Sequence, residues 1–183
     1  MKRFLILILL VTLNAGSVFA EMKCDFENYE KNSISYLQNK DFDSLIELTS
    51  ACIKENPDLL NLYNNRGNAY RSIEKYDEAI KDYDYAISKD PEYTTPYIGK
   101  AHVYVKQEKL QEAIAMLDKV IEINPKLMTA YNSRAVVKSY IGDFDGAVKD
   151  WETAKKLGFP AEYADRNISA VKTLKKNLKK GKK

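Results

Sequence analysis

The sequence predicts an all-α protein, and three observations carry that prediction. A chain of 183 residues with only seven Gly and five Pro has too few turn residues for an all-β fold. A charged fraction of 30% argues against a bundle of membrane helices. Pro57, Pro91 and Pro125 recur at intervals of 34 residues, which is long enough for two helices and their turns.

The first twenty residues have the layout of a secretory signal peptide. Lys2 and Arg3 precede an apolar run over residues 4–13, and Val18 and Ala20 put small residues where a signal peptidase reads them. We predict cleavage after Ala20 and therefore a periplasmic or secreted protein, with a bacterial envelope favoured. The alternative is an uncleaved segment that serves as an N-terminal anchor.

The 34-residue period extends well beyond the prolines. In each column the residue type is kept in all or most of the units, which indicates a structural repeat. Aromatic and large apolar residues form two columns, and mostly small residues form two others, where helices approach closely. The columns are Tyr29, Tyr63, Tyr97 and Tyr131; Phe42, Tyr76, Leu110 and Phe144; Ser33, Gly67, Ala101 and Ala135; and Leu45, Ala79, Ala113 and Ala147.

Within one unit the apolar residues lie on two helical faces. Tyr63, Gly67 and Tyr70 share one face, and a second stripe begins at Tyr76 and Ala79. Each closing proline lacks a backbone N–H and ends the second helix. The predicted units are 26–59, 60–93, 94–127 and 128–160, after a signal peptide at 1–20.

These aromatic, small and proline positions resemble the tetratricopeptide repeat family, whose unit is a pair of antiparallel helices. The resemblance covers residues 26–159. It is best in the second unit, and the first unit is degenerate, with Thr49 and Cys52 at positions where the family has an aromatic residue and Ala. The resemblance implies a right-handed solenoid of antiparallel helix pairs that acts as a protein-binding scaffold.

A last helix is predicted over residues 161–178, followed by a basic tail at 179–183. Its apolar residues are spaced by three or four positions, so they form one face that we expect to cap the fourth unit. That face consists of Ala164, Ile168, Val171, Leu174 and Leu178.

The resemblance also implies a partner-binding surface, because the inner face of such a stack is lined by the first helix of each unit at offsets five, nine and twelve. Asn side chains there both donate and accept hydrogen bonds, so they suit the backbone of an extended peptide. The alternative is that these are ordinary solvated positions. The predicted inner groove consists of Asn64, Asn68, Arg71, Ile98, His102, Val105, Asn132, Val136 and Ser139.

Some relatives in the family grip a C-terminal carboxylate with Lys, Asn, Asn, Lys and Arg. This chain keeps only Asn68 of that set, so no carboxylate clamp is expected. The clamp's other positions hold Asn64, Gly99, Thr129 and Ser133.

His102 is the only histidine in the chain. It has no Cys or carboxylate within one turn of its helix, so we expect neither catalysis nor metal binding there. As a groove residue it would instead make binding depend on pH near 6.5. The sequence also shows no Gly-rich phosphate loop and no nucleophile with a supporting base, so neither an enzyme nor a cofactor is expected.

Cys24 and Cys52 are predicted to form a disulfide, because the ends of an antiparallel helix pair are adjacent and export means an oxidising compartment. Closing a loop of this length contributes about 3–4 kcal/mol in the chain-entropy model. The alternative is that Cys52 is a small buried residue and Cys24 is free.

The charge is distributed unevenly. Residues 21–171 hold 20 Lys and Arg against 26 Asp and Glu, whereas the following residues are basic with no acid. Such a tail suits an anionic membrane surface or an acidic partner, and the alternative is a solvated, frayed end. Lys without Arg or interleaved aromatics argues against specific nucleic-acid reading. The basic residues are Lys172, Lys175, Lys176, Lys179, Lys180, Lys182 and Lys183, of which the first five are the predicted site residues.

The leading functional prediction is a scaffold or adaptor that binds another protein or peptide on the inner groove. The second is a peripheral membrane or envelope attachment module that acts through the Lys-rich C-terminal helix.

Overall fold

The computed structural model describes Cys24 and residues 26–180, with side chains described for Cys24 and from residue 28 onward. The predicted signal peptide lies outside this part of the chain. Within it there are nine helices and no strand, which confirms the all-α prediction. The helices are α1 (Phe26–Asn39), α2 (Phe42–Glu55), α3 (Leu60–Ser72), α4 (Tyr76–Lys89), α5 (Thr94–Lys106), α6 (Leu110–Ile123), α7 (Met128–Tyr140), α8 (Phe144–Lys156) and α9 (Ala161–Lys180).

Each helix packs on the next one along the chain, and α3 also contacts α5. The odd-numbered helices from α1 to α7 therefore form one layer, and the even-numbered helices form the other. The apolar clusters extend across unit boundaries: Tyr29 and Cys52 of the first unit share a core with Tyr63 and Ala86 of the second. Because neighbouring units complete each other's core, stability is shared along the array.

The turn between the two helices of each unit has the same backbone conformation in all four units. Lys40, Glu74, Glu108 and Gly142 are 34 residues apart, and all four adopt a left-handed conformation, with φ of 57°, 61°, 60° and 81°. Only the last is a glycine, although this conformation costs other residues about 1–2 kcal/mol. The three non-glycine turns are held by the helix packing on either side of them.

A buried tyrosine explains two of the helical glycines. The Tyr83 ring is fully buried, and a Cβ added at either Gly67 or Gly99 would lie within 3 Å of it. The ring of α4 therefore fills a slot between α3 and α5 that exists only because both helices lack a side chain there. In the next unit the same column holds Leu117, and the flanking positions are Ala101 and Ser133.

The final helix α9 packs on α8, in line with the predicted cap. Ala164, Ile168 and Val171 are buried against a cluster that includes Trp151. The prediction of one continuous buried face is wrong for the second half of the helix, where Leu174 and Leu178 are 48% and 49% exposed. The reason is the difference in helix length. α8 has 13 residues and α9 has 20, so the second half of α9 extends beyond the end of α8.

Ionic contacts hold the second half of α9 instead. The Lys175 ammonium donates to both oxygens of the Asp145 carboxylate in the first turn of α8. This hydrogen bond, together with the positive charge, lowers the pKa of Asp145 below its usual value. The helix continues to Lys180, two residues beyond the predicted end at 178.

Among the described residues, no helix combines the length and apolar character that crossing a membrane requires.

Candidate functional site

The inner groove lies on the open side of the first layer. Tyr63, Tyr97 and their equivalents point into the clusters shared with the second layer, so no other helix of the described residues covers the opposite faces of α3, α5 and α7. Contact between α3 and α5 makes the open faces of these two helices one continuous surface. This surface is where the sequence predicted partner binding.

A polar cluster occupies the middle of the groove. The Tyr83 hydroxyl passes between α3 and α5 and donates to Asn68 Oδ1 at 2.9 Å. Burial raises the pKa of Tyr83, while the neighbouring Arg71 guanidinium opposes that rise. The hydroxyl therefore stays protonated at neutral pH and fixes the orientation of the Asn68 amide, leaving its N–H groups to donate.

His102 stands beside this cluster and is exposed. Partial desolvation, and then the charge of Arg71, lower the pKa of His102 below 6.5. At neutral pH the imidazole is uncharged, so one ring nitrogen accepts a hydrogen bond and the other donates one. Any effect of His102 protonation on partner binding is therefore expected below pH 6.5 and not at pH 6.5.

A second asparagine of the groove is held in the same way. The Trp151 indole Nε1–H of α8 donates to Asn132 Oδ1 at 3.1 Å. Trp151 occupies the column of Tyr83 two units later. In both units an aromatic residue of the second layer donates a hydrogen bond to the amide oxygen of a predicted groove asparagine.

The nine predicted groove residues differ in how accessible they are on the open surface. Asn64 is only 5% exposed, and its Oδ1 is buried without a hydrogen-bond partner among the described residues, so this side chain does not lie on the open surface. Ser139 donates to the Val136 carbonyl at 2.7 Å and is occupied within its own helix. The remaining partly buried members are Asn68, Arg71, Ile98, Val105, Asn132 and Val136.

The open surface includes residues that the prediction missed. Counted from residue 26, offsets nine and twelve of the first unit are Ile34 and Leu37, which are 56% and 53% exposed. The signal that identifies them is the same set of offsets, applied to the degenerate first unit. Offset thirteen adds the exposed Lys106 and Tyr140, the latter 69% exposed. The groove therefore has an apolar end on α1.

A column of cations joins the two layers and was also missed. Arg134 of α7 donates through Nε and Nη2 to Asp150 of α8 at 2.8 and 2.7 Å, and through Nη1 to Asp118 of α6 at 2.6 Å. Asp150 is 3% exposed and also pairs with Lys138 at 2.8 Å. These contacts raise the pKa of Arg134 and tie three successive helices together.

The same column appears in the two preceding units. Arg66 binds the buried Asp82 through two hydrogen bonds of 2.8 and 2.7 Å and reaches Ser50 of the first unit at 3.0 Å. Lys100 pairs with Asp84 of the preceding unit at 2.6 Å. The signal that would have found them is the 34-residue spacing of Arg66, Lys100 and Arg134.

The remaining predicted site residues lie at the two ends of the array. Cys24 and Cys52 are joined by a disulfide with a Cα–Cα distance of 4.7 Å, which fastens the segment before α1 to the end of α2. Of the predicted basic residues, Lys175 is engaged by Asp145, and Lys172, Lys176, Lys179 and Lys180 are exposed on α9. No group of His, Cys, Asp and Glu suited to a metal ion occurs among the described residues.

Comparison with known proteins identifies the repeat. Residues 61–93 and 95–127 each match the tetratricopeptide repeat family. The chain belongs to the tetratricopeptide repeat family. The two matched stretches lie within residues 60–93 and 94–127, and the helix pairs on either side continue the same helical pattern. No curated protein matches this tetratricopeptide repeat (TPR) chain in sequence.

Solved TPR structures share its fold. A tetratricopeptide repeat protein from Parabacteroides merdae superposes with a TM-score of 0.71 at 19% identity, covering 83% of this chain and 60% of that one. A thermophilic TPR protein of Thermus thermophilus gives 0.67 at 17% identity, covering 79% and 80%. The first TPR domain of Spaghetti (RPAP3), bound to the HSP90 peptide SRMEEVD, gives 0.59 at 23% identity, covering 63% and 91%.

Proposed function

We propose that this TPR protein is a scaffold that binds a segment of another protein on the inner groove. The observation that carries the proposal is the pair of asparagines oriented from behind, Asn68 by Tyr83 and Asn132 by Trp151. Holding the amides in place before binding reduces the ordering cost of association. The RPAP3 domain, which binds a peptide, supplies a precedent on the same fold.

The proposal assigns the chain no chemical step. TPR proteins are generally scaffolds, and the polar groups of the groove are amides, hydroxyls, the Arg71 guanidinium, the Lys106 ammonium and a neutral imidazole. These groups bind and orient but provide no activated nucleophile.

Site-specific photocrosslinking tests the scaffold function. A photoreactive residue in place of His102, which is exposed in the groove, is expected to capture a defined partner in the cell. The matched control replaces Lys81, which is exposed on α4 in the second layer. Capture of the same partner from both positions, or from neither, contradicts binding in the groove.

We further propose that the protein works after export, in the periplasm or outside the cell. The signal-peptide layout of residues 1–20 and the Cys24–Cys52 disulfide support this, because stable disulfides belong to oxidising compartments. Intact-mass measurement of the protein from its native compartment, without reductant, tests both points. The expected chain begins at Glu21 and is two mass units lighter than its reduced form, and an intact Met1 terminus with free thiols contradicts export.

A second candidate function is attachment to an anionic membrane surface through α9. It is favoured by the half-exposed Leu174 and Leu178 beside exposed lysines on the part of the helix that outruns α8. Sedimentation with vesicles containing phosphatidylglycerol tests it, with deletion of residues 172–183 as the variant. Binding that survives the deletion contradicts this function, whereas capture of a protein partner by the same variant remains compatible with the scaffold.

A further inference from the structure

The three inner helices of the first layer differ in charge from the rest of the chain. α3, α5 and α7 contain no Asp or Glu, although the mature chain up to residue 171 is acidic. Each carries two residues that are Lys or Arg. By contrast, α4 alone contains four acidic residues: Asp77, Glu78, Asp82 and Asp84.

Most of these cations are already neutralised within the fold. Arg66, Lys100, Arg134 and Lys138 pair with aspartates on the second layer. Arg71 and Lys106 make no ion pair with any carboxylate in the described part of the chain. They occupy offsets twelve and thirteen, on the groove side of α3 and α5. Two positive charges therefore face the groove from helices that contain no Asp or Glu, and the exposed Glu30, at offset five, lies toward the other end of α1 from Leu37.

Arg71 is also preorganised. It lies against the Tyr83 hydroxyl and close enough to His102 to lower the pKa of that residue. Its Nε is buried, so the guanidinium has limited freedom to move. A cation held in this way loses little side-chain entropy when it binds a carboxylate, and charge-assisted hydrogen bonds to Arg are among the strong ones.

Apolar surface adjoins this basic centre. Ile34 and Leu37 are more than half exposed on α1, at the same offsets that hold Asn68 and Arg71 on α3. A ligand that lies across the first layer therefore meets apolar side chains at α1 and unpaired cations at α3 and α5.

We propose that the inner groove selects an internal acidic segment of its partner, with side-chain carboxylates on Arg71 and Lys106 and an apolar residue on Ile34 and Leu37. This inference rests on the proposed scaffold function and specifies its ligand. An internal segment is favoured over a chain end because the positions that would clamp a terminal carboxylate hold Asn64, Gly99, Thr129 and Ser133, none of them cationic.

The test uses a library of random twelve-residue segments inserted into a carrier protein, so that no free terminus is offered. Selection on the full chain is expected to enrich segments that combine Asp or Glu with apolar residues. Affinity for a selected segment is expected to fall about tenfold or more in Arg71→Gln, because one charge-assisted contact is lost. Lys106→Glu, at an exposed position, is expected to weaken the same segment without disturbing the core.

The matched control is Lys81→Glu, which makes the same charge change on the exposed face of α4 and is expected to leave affinity unchanged. If no segment is enriched by the wild-type chain, the scaffold function fails and this inference fails with it. Enrichment of neutral or basic segments overturns the inference alone. Equal weakening by Lys81→Glu and Lys106→Glu also overturns it, since the effect would then come from overall charge.

Discussion

Replacing Gly99 with alanine tests the slot in which Tyr83 is held. The added Cβ would lie 2.5 Å from Tyr83 Cζ and 2.6 Å from Cε1, whereas ordinary contacts begin at 3.4 Å. The ring or the helix must therefore move by about 1 Å. The ring cannot retreat freely, because it is fully buried and its hydroxyl is bonded to Asn68.

The expected cost follows from two opposing terms. Overpacking a core costs about 1–3 kcal/mol, and replacing glycine with alanine in a helix returns up to about 1 kcal/mol. We expect the free energy of unfolding to fall by about 1–2 kcal/mol in Gly99→Ala. Urea denaturation followed by circular dichroism measures this change.

The same substitution in a Tyr83→Leu variant separates the steric clash with the Tyr83 ring from the other effects of adding a methyl group at Gly99. Tyr83→Leu introduces the residue that the next unit already has at this column, Leu117, whose flanking positions carry the larger Ala101 and Ser133. In that background Gly99→Ala is expected to be neutral or stabilising, and the cost of Tyr83→Leu itself cancels in the double-mutant cycle. An equal loss of stability in both backgrounds would refute the steric explanation.

Four further substitutions, at three places in the fold, have expected outcomes. Cys24→Ser is expected to lower the free energy of unfolding by about 3–4 kcal/mol through loss of the 28-residue cross-link, and an unchanged urea midpoint would argue against it. Gly142→Ala is expected to destabilise by about 1–2 kcal/mol because its φ is positive, whereas Glu108→Gly should not destabilise; thermal melts in which both lose stability would contradict this. Lys175→Met is expected to return the pKa of Asp145 toward 3.8 in an NMR titration. This pKa is depressed in the folded chain, so the stabilisation by the Lys175 contact is fully present above the pKa of Asp145 in the unfolded chain. The stabilisation is lost as the pH falls through the pKa of Asp145 in the folded chain.

The repeat and its helices could be predicted because they depend on local periodicity. The columns of Tyr63 and Ala79 mark one buried stripe on each helix, and the prolines mark the ends of the second helices. The pairing of Cys24 with Cys52 also followed from the antiparallel arrangement, together with the expectation of an oxidising compartment.

The contacts of the cation column could not be predicted from local periodicity, because most of them join residues 16 positions apart on different helices. Arg66 and Asp82 look like ordinary surface residues in the sequence, yet the aspartate is 6% exposed. Likewise, the burial of Asn64 depends on the neighbouring helix, and the exposure of Leu178 depends on the length of α8, neither of which is a property of their own helices.

The cation column is incomplete in one place. Arg66 and Arg134 each form an ion pair with an aspartate on the second helix of their own unit, Asp82 and Asp150. In the third unit Met116 occupies that position, so Lys100 pairs only with an aspartate of the preceding unit. Within the described residues, the third unit is therefore the inner unit whose two helices are joined by apolar contact and by no ion pair. If the solenoid is stretched from its ends, we expect α5 and α6 of the third unit to separate first. The units on either side then move as two rigid bodies about a flexible hinge in the third unit.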